Sequence, residues 1–214
     1  MIEKTGPTLY KCESIYKIGA GGGGGGGGGG IIDPSLYEQH FGIKRESSTF
    51  YFNTNSFTNQ INFNDKIIID YYFAPTSGHG QTWIIVLNTN LLDINVGRSS
   101  ATKSWFRFNG TTEMVTSPVP GYFTLKLSGG NASINGVNNN DSVSYTNANI
   151  TDFFYSNNGD SVGSIIFSFI IKDENDNIKC QYTPVKRIAD GKIGLYDPFT
   201  DNFVDVVGTG SFVG

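Results

Sequence analysis

From Thr49 onward, short runs rich in β-branched and aromatic residues recur along the chain, many with apolar and polar positions alternating. That period of two is the mark of strands with one buried face. The longer runs are Lys66–Ala74, Thr82–Asn88, Tyr122–Ser128, Ser164–Asp173 and Ile178–Val185. The shorter ones are Thr49–Asn53, Asp93–Gly97, Ser104–Asn109, Ser133–Val137, Asp141–Thr146, Asp152–Ser156, Lys192–Asp197 and Phe203–Val206. Ile67-Ile68-Ile69 and Ile165–Ile171 read as central strands. Clusters of Gly, Asn, Asp and Ser punctuate the runs at Thr76–Gly80, Asn109-Gly110, Ser128–Asn131, Asn138–Asp141 and Asn157–Asp160. Many short strands at this spacing predict an all-β protein, a two-sheet antiparallel sandwich over residues 49–214.

Residues 31–48 are the one stretch that predicts helix. Asp33-Pro34 has the form of an N-cap followed by proline at the first helical position, Leu36, Tyr37 and Phe41 make a short apolar stripe, and Gly42 would end it. Before it lie ten consecutive glycines, Gly21–Gly30, preceded by Gly19 and Ala20. This tract, residues 19–30, has no side chain to bury and offers a partner only backbone N–H and C=O groups. Ordering ten glycines costs roughly 10–20 kcal/mol of backbone entropy. The tract is therefore either a flexible spacer or an element ordered by an assembly. Residues 1–18 form an arm whose stretch Leu9–Ile18 roughly alternates, as a strand would. Such a strand needs a sheet edge, on a neighbouring chain by β-augmentation or on its own domain.

Composition narrows the class. The chain has 214 residues, a net charge of −4 and 16% charged residues, with 14% aromatics. This acidic balance supplies no field for nucleic acid, and the aromatic content suits sheets. No apolar run approaches the roughly 20 residues of a membrane span, and the N-terminus has no apolar segment of the secretory kind. Met1 reads as a native start. Cys12 and Cys180 are the only cysteines, which excludes a disulfide-dense scaffold and leaves open two thiols or one bridge.

Catalytic chemistry is thin. The glutamates are Glu3, Glu13, Glu38, Glu46, Glu113 and Glu174, and no two stand at i, i+2 or i, i+4 on a strand, so no close pair offers the two carboxylates that glycoside hydrolysis uses. His40 and His79 are the only histidines, and His79 reads as a loop residue. Asp173–Asn177 has oxygen ligands at alternate positions like the start of a calcium loop, but Ile178 and Pro184 stand where an EF-hand needs glycine and glutamate. No cofactor is expected; calcium is possible but has no support in these residues. Among the aromatics Trp83 reads as core, whereas Trp105, beside Arg107 and the Asn109-Gly110 turn, and Tyr122 are the candidates for rings that face a glycan.

The C-terminal third carries a resemblance. Ser168–Asp173, a hairpin turn, Ile178–Lys186, Asp190-Gly191-Lys192-Ile193-Gly194-Leu195-Tyr196-Asp197, Asn202-Phe203 and Gly208–Gly210 form an ending similar to that of the concanavalin A-like lectin/glucanase superfamily in its laminin-G-like jelly-roll form. It resembles in particular modules of tailed-phage virion proteins and of bacterial surface proteins. The residues have physical roles: Asp190-Gly191 for a turn, Gly194 for close backbone approach, Leu195 and Tyr196 on alternate faces, and Pro184 at a strand end. The resemblance implies a jelly roll and, with the glutamate pair missing, no glucanase activity. It points to a non-enzymatic structural or adhesion component of a virion, a fibre or decoration protein, with the sandwich exposed to a glycan and the arm anchored on other virion proteins. The alternative is a lectin-like module at a cell surface. For the virion layout the tract predicts a homo-oligomer, a trimer in which Gly21, Gly24, Gly27 and Gly30 mark the threefold packing of extended chains at about 3.1 Å per residue.

Overall fold

The computed structural model describes residues 30–58, 60–75, 81–87, 92–100, 103–108, 111–115, 120–139, 142, 144, 147–155 and 161–213. Side chains are described for all of these except 81–83, 92–100, 103–105 and 111–115. In chain order the strands are β1 (Tyr37–Gln39), β2 (Gly42–Arg45), β3 (Tyr51–Phe52), β4 (Ile61–Asn62), β5 (Lys66–Phe73), β6 (Gln81–Leu87), β7 (Leu92–Ser100), β8 (Lys103–Phe108), β9 (Thr111–Val115) and β10 (Gly121–Ser128). They continue with β11 (Asn131–Ile134), β12 (Val137–Asn138), β13 (Asn147–Ala148), β14 (Ile150–Tyr155), β15 (Ile165–Lys172), β16 (Ile178–Arg187), β17 (Ile193–Asp197), β18 (Asn202–Val207) and β19 (Gly210–Val213). Every pairing among them is antiparallel. No α-helix occurs among the described residues.

The larger sheet has the order β12-β11-β10-β5-β15-β16-β17-β18-β3, with β1 on β16, β2 on β15 and β19 on β2. The smaller sheet is β14-β6-β7-β8-β9, and β4 and β13 make a separate pair. Alternation decides which face goes inward. On β5, Ile67, Ile69, Tyr71 and Phe73 are buried while the residues between them are half-exposed. The inward residues of both sheets form one cluster, in which Phe153 of β14 packs on Phe52, Phe57 and Phe169 with ring centroids 5.4, 5.5 and 4.9 Å away. Each such ring brings a large apolar area out of water, and tilted or edge contacts suit its quadrupole. The architecture is that of two antiparallel sheets over a shared aromatic core.

Residues 31–48 depart from the helix expected of them. Asp33 does cap a turn, accepting the backbone N–H of Ser35 at 2.8 Å on its side chain and those of Leu36 and Tyr37 on its carbonyl. The chain then leaves the helical path, and β1 and β2 occupy the rest. The apolar stripe is too short to hold a helix on the core: Leu36 and Phe41 stay about half exposed. The diverging strands β15 and β16 instead offer unpaired backbone that β2 and β1 satisfy. The sheet therefore begins before residue 49.

Two further corrections follow from local geometry. Ser133–Val137 is not one strand: Asn135 and Gly136 have φ of +50° and +80° and turn β11 into β12, the Asn-Gly hairpin geometry. Pro184 lies inside β16, not at its end. Its carbonyl accepts the His40 N–H at 2.9 Å. In an antiparallel strand a residue's N–H and C=O share an edge, so the missing donor falls at the seam where β16 exchanges β15 for β1 as its neighbour. The rest of the ending behaves as read. A Cβ on Gly194 would stand 2.4 Å from the Val204 carbonyl oxygen, Gly191 turns at φ +70°, Leu195 joins the core and Tyr196 stacks under Tyr37 at 4.0 Å on the other face. Asp141–Thr146, expected as a strand, lies largely outside the described residues, and Ser142 and Ser144 are not in strand.

Candidate functional site

The outward face of the larger sheet carries a row of polar groups flanked by aromatic rings. On β10, Phe123, Leu125 and Leu127 turn inward, so Tyr122, Thr124 and Lys126 turn outward. The register places Tyr122 opposite Tyr72, Thr124 opposite Asp70 and, across β5, Ser168 opposite Asp70. The sequence thus aligns a hydroxyl, a carboxylate and a hydroxyl across three strands. Thr124 Oγ1 donates to Asp70 Oδ1 at 2.6 Å and Ser168 Oγ donates to Asp70 Oδ2 at 3.0 Å. Each carboxylate oxygen keeps a second lone pair for another donor.

A bulge builds the aromatic part. The β15–β5 register shifts between Ile166 and Ser168, and the extra residue, Phe167, joins the outer face although Ile166 remains in the core. Phe167 is covered by Tyr122, stacked at 5.8 Å, and by Phe41, tilted at 5.1 Å. Tyr72 meets Tyr122 edge-on at 5.0 Å. Tyr122 is 69% exposed and Phe41 48%, so two ring faces are open to solvent above two that are covered. Burial, and after it the neighbouring Tyr122, raise the Tyr72 phenol above its usual pKa. Asn135 fixes this edge from the β11–β12 turn: its side-chain oxygen accepts the Thr124 N–H at 2.9 Å and its amide donates to the Tyr122 carbonyl at 3.2 Å.

The sequence candidates separate here. Tyr122 stands at the centre of the cluster. Trp105 lies on β8 of the smaller sheet, opposite Gly97 and Met114, with its side chain outside the described ones, so the backbone places the two on different sheets. Trp83 lies on β6 with its side chain likewise undescribed. Gly21, Gly24, Gly27, Cys12 and His79 lie outside the described residues. Gly30 is seated on its own domain, where a Cβ would stand 2.3 Å from the Pro198 carbonyl oxygen. Cys180 is fully buried in β16. Asp173 serves the β15–β16 hairpin turn: its carboxylate accepts the N–H groups of Asn175 and Asn177 and the Asn177 amide, each at 2.9 Å. Sequence reading missed Asp70, Tyr72, Phe167 and Phe41. An acid at a solvent-side position inside the apolar run Lys66–Phe73 was a usable signal for the first two, whereas only the bulge puts Phe167 and Ser168 side by side on the outer face between the inward Ile166 and Phe169.

The arrangement presents open ring faces beside a carboxylate, hydroxyls and, two positions along β10, Lys126, which suits a ligand with an apolar C–H face and a polar rim. No family model, curated protein or solved structure matches the chain. No helix among the described residues is long and apolar enough to cross a membrane.

Proposed function

We propose that this protein is a non-enzymatic adhesion component of a virion that holds glycan on the outer face of its larger sheet. The observation that carries the proposal is the Tyr122–Phe167–Phe41 stack beside Asp70. A pyranose has one face of C–H groups and a rim of hydroxyls; the C–H face packs on an aromatic ring and the hydroxyls donate to a carboxylate. The Tyr122 ring and the two further lone pairs of Asp70 supply those two requirements one step along the same face, since Tyr122 lies opposite Tyr72 and Thr124 opposite Asp70. An exposed aromatic patch on an otherwise polar sheet face is itself the usual sign of a binding surface.

The virion assignment rests on the resemblance of the C-terminal ending and on the layout of arm, glycine tract and sandwich. In this reading the sheets form a concanavalin A-like jelly roll, the tract packs with those of two other copies, and the arm holds the trimer on a neighbouring virion protein. The experiment is a titration of the full chain and of Tyr122→Ala against glycans first selected on an array. Binding by the wild type that weakens at least about tenfold in the variant, the equivalent of about 1.4 kcal/mol, supports the assignment. Equal binding by the two proteins removes the outer face from the account.

A further inference from the structure

Two lysines of the larger sheet lack the acid that the other lysines have. Side chains are described for seven lysines. Five of these stand beside a carboxylate: Lys44 with Glu46 at 3.0 Å, Lys66 with Asp176 at 2.9 Å, Lys179 with Asp65 at 2.6 Å, Lys186 with Glu38 at 3.8 Å and Lys192 with Asp205 at 3.2 Å. Lys126 and Lys172 have no carboxylate in ion-pair reach among the described residues. Acid is not scarce, since the chain carries 19 Asp and Glu against 15 Lys and Arg. The two cations left over fall on one face.

Alternation and register put them there. Leu125 and Leu127 on β10 and Ile171 on β15 belong to the core, so Lys126 and Lys172 turn outward. Ile68 and Ile170 turn outward for the same reason, between core neighbours on their own strands, and stay half-buried. Lys126 lies opposite Ile68, Ile68 lies opposite Ile170, and Lys172 stands two residues beyond Ile170. The two lysines are therefore two strands and two residues apart, roughly 12 Å between Cα atoms, with the two isoleucines between them. Lysine stems lie along such apolar surface and hold their ammonium groups above it. The acids at this end are engaged elsewhere. Asp176 pairs with Lys66, Asp173 accepts the N–H groups of its own turn, and Glu174 accepts the Asn64 amide at 3.2 Å. Asp70 lies one step nearer the rings, opposite Thr124, so it repels an anion from that end and leaves the lysine end to receive one.

We propose that the glycan held on this face is acidic, with an anionic group seated over Ile68 and Ile170 between Lys126 and Lys172. The inference rests on the glycan reading above and names the ligand class. From Tyr122 to Lys126 is four residues of β10, roughly 13 Å at about 3.3 Å per residue, so the ligand is a short oligosaccharide and not one sugar. One sugar packs on the Tyr122 ring, its hydroxyls donate to Asp70, and a following sugar brings its carboxylate or sulfate to the lysines. Lysine meets such a group as a point charge on a flexible stem, so the contact steers association and weakens with salt.

The test is an array of acidic oligosaccharides, each beside its carboxyl-reduced or desulfated counterpart, probed with the full chain, Lys126→Gln/Lys172→Gln and Tyr122→Ala. The best-bound pair is then titrated at low and at physiological salt. Glutamine keeps most of the stem on a solvent-facing position, and a circular dichroism melt checks the fold. The acidic member is expected to bind about five- to tenfold tighter than its neutral counterpart, the scale of two exposed charge contacts. The lysine variant removes that difference and leaves the neutral affinity unchanged, whereas Tyr122→Ala weakens both members. Carboxylated and sulfated members, compared with each other, show which anion fits better. Equal binding of acidic and neutral members, both through Tyr122, overturns the acidic class and leaves the glycan face standing. An acidic preference that survives in the lysine variant overturns the seat. Inorganic tripolyphosphate bound as tightly as the acidic glycan shows a site for charge alone and overturns the class. Binding of no member overturns the glycan reading and this one with it.

Discussion

Deleting the Tyr122 ring removes an aromatic face that is mostly in solvent, so the change separates binding from folding. Tyr122→Ala is expected to leave the unfolding free energy within about 1 kcal/mol of the wild type, as exposed positions do, while glycan affinity falls at least about tenfold. Urea unfolding and calorimetric titration of the same preparations check both halves. Gly194→Ala is the opposite case. Its Cβ would meet the backbone oxygen of Val204 and the Phe203 ring inside 3 Å, and β17 would have to move off β18. A loss of about 2 kcal/mol or more is expected, read from the same urea curves, with binding to the remaining folded protein unchanged because the site lies on other strands.

At the scale of elements, His40 ties β1 to the last strand. Its ring stacks on Phe212 of β19 with centroids 3.5 Å apart. Burial there lowers the pKa of His40 below 6.5, and Lys186 adds to this while Glu38, 3.4 Å away, opposes it. A histidine whose folded pKa is depressed stabilises the fold above the unfolded value and loses that stability as pH falls through the folded one. The wild type should therefore lose more stability between pH 7 and pH 5 than His40→Gln does, measured as the shift in urea midpoint; equal shifts would exclude this histidine. The strands that the sequence announces most clearly are the long runs β5, β10, β15 and β16. Those it hides are β1, β2, β4, β9, β13 and β19, none longer than five residues, which lean on the edge that a neighbour offers them. Asp33-Pro34 was legible as a cap, yet nothing local says that one turn follows rather than four. The site divides in the same way. Tyr122 was legible as an aromatic near a strand start, and Asp70 was within reach of an alternation argument. Phe167 was not, because a bulge between Ile166 and Ser168 is a property of the pair of strands and leaves no mark on either one.

For the whole molecule, one claim joins the site to the assembly. In the proposed reading a single Tyr122 face would give a glycan a weak grip, and three copies on one axis would present three such faces together. Linking sites in this way raises avidity by two to four orders of magnitude without any new contact, which is the use an adhesion protein has for a tract that builds no core of its own. The assembly half of the proposal is read from the mass of the full chain in solution; the binding half is the more central, since without it the outer face is only a surface. The most direct measurement is an NMR titration of the full chain with an array-selected glycan, following the Tyr122, Tyr72, Thr124 and Ser168 amides. The account predicts saturable shifts at these four positions that disappear in Tyr122→Ala. Saturable shifts confined to the smaller sheet around Trp105, or none at any glycan concentration, would contradict it.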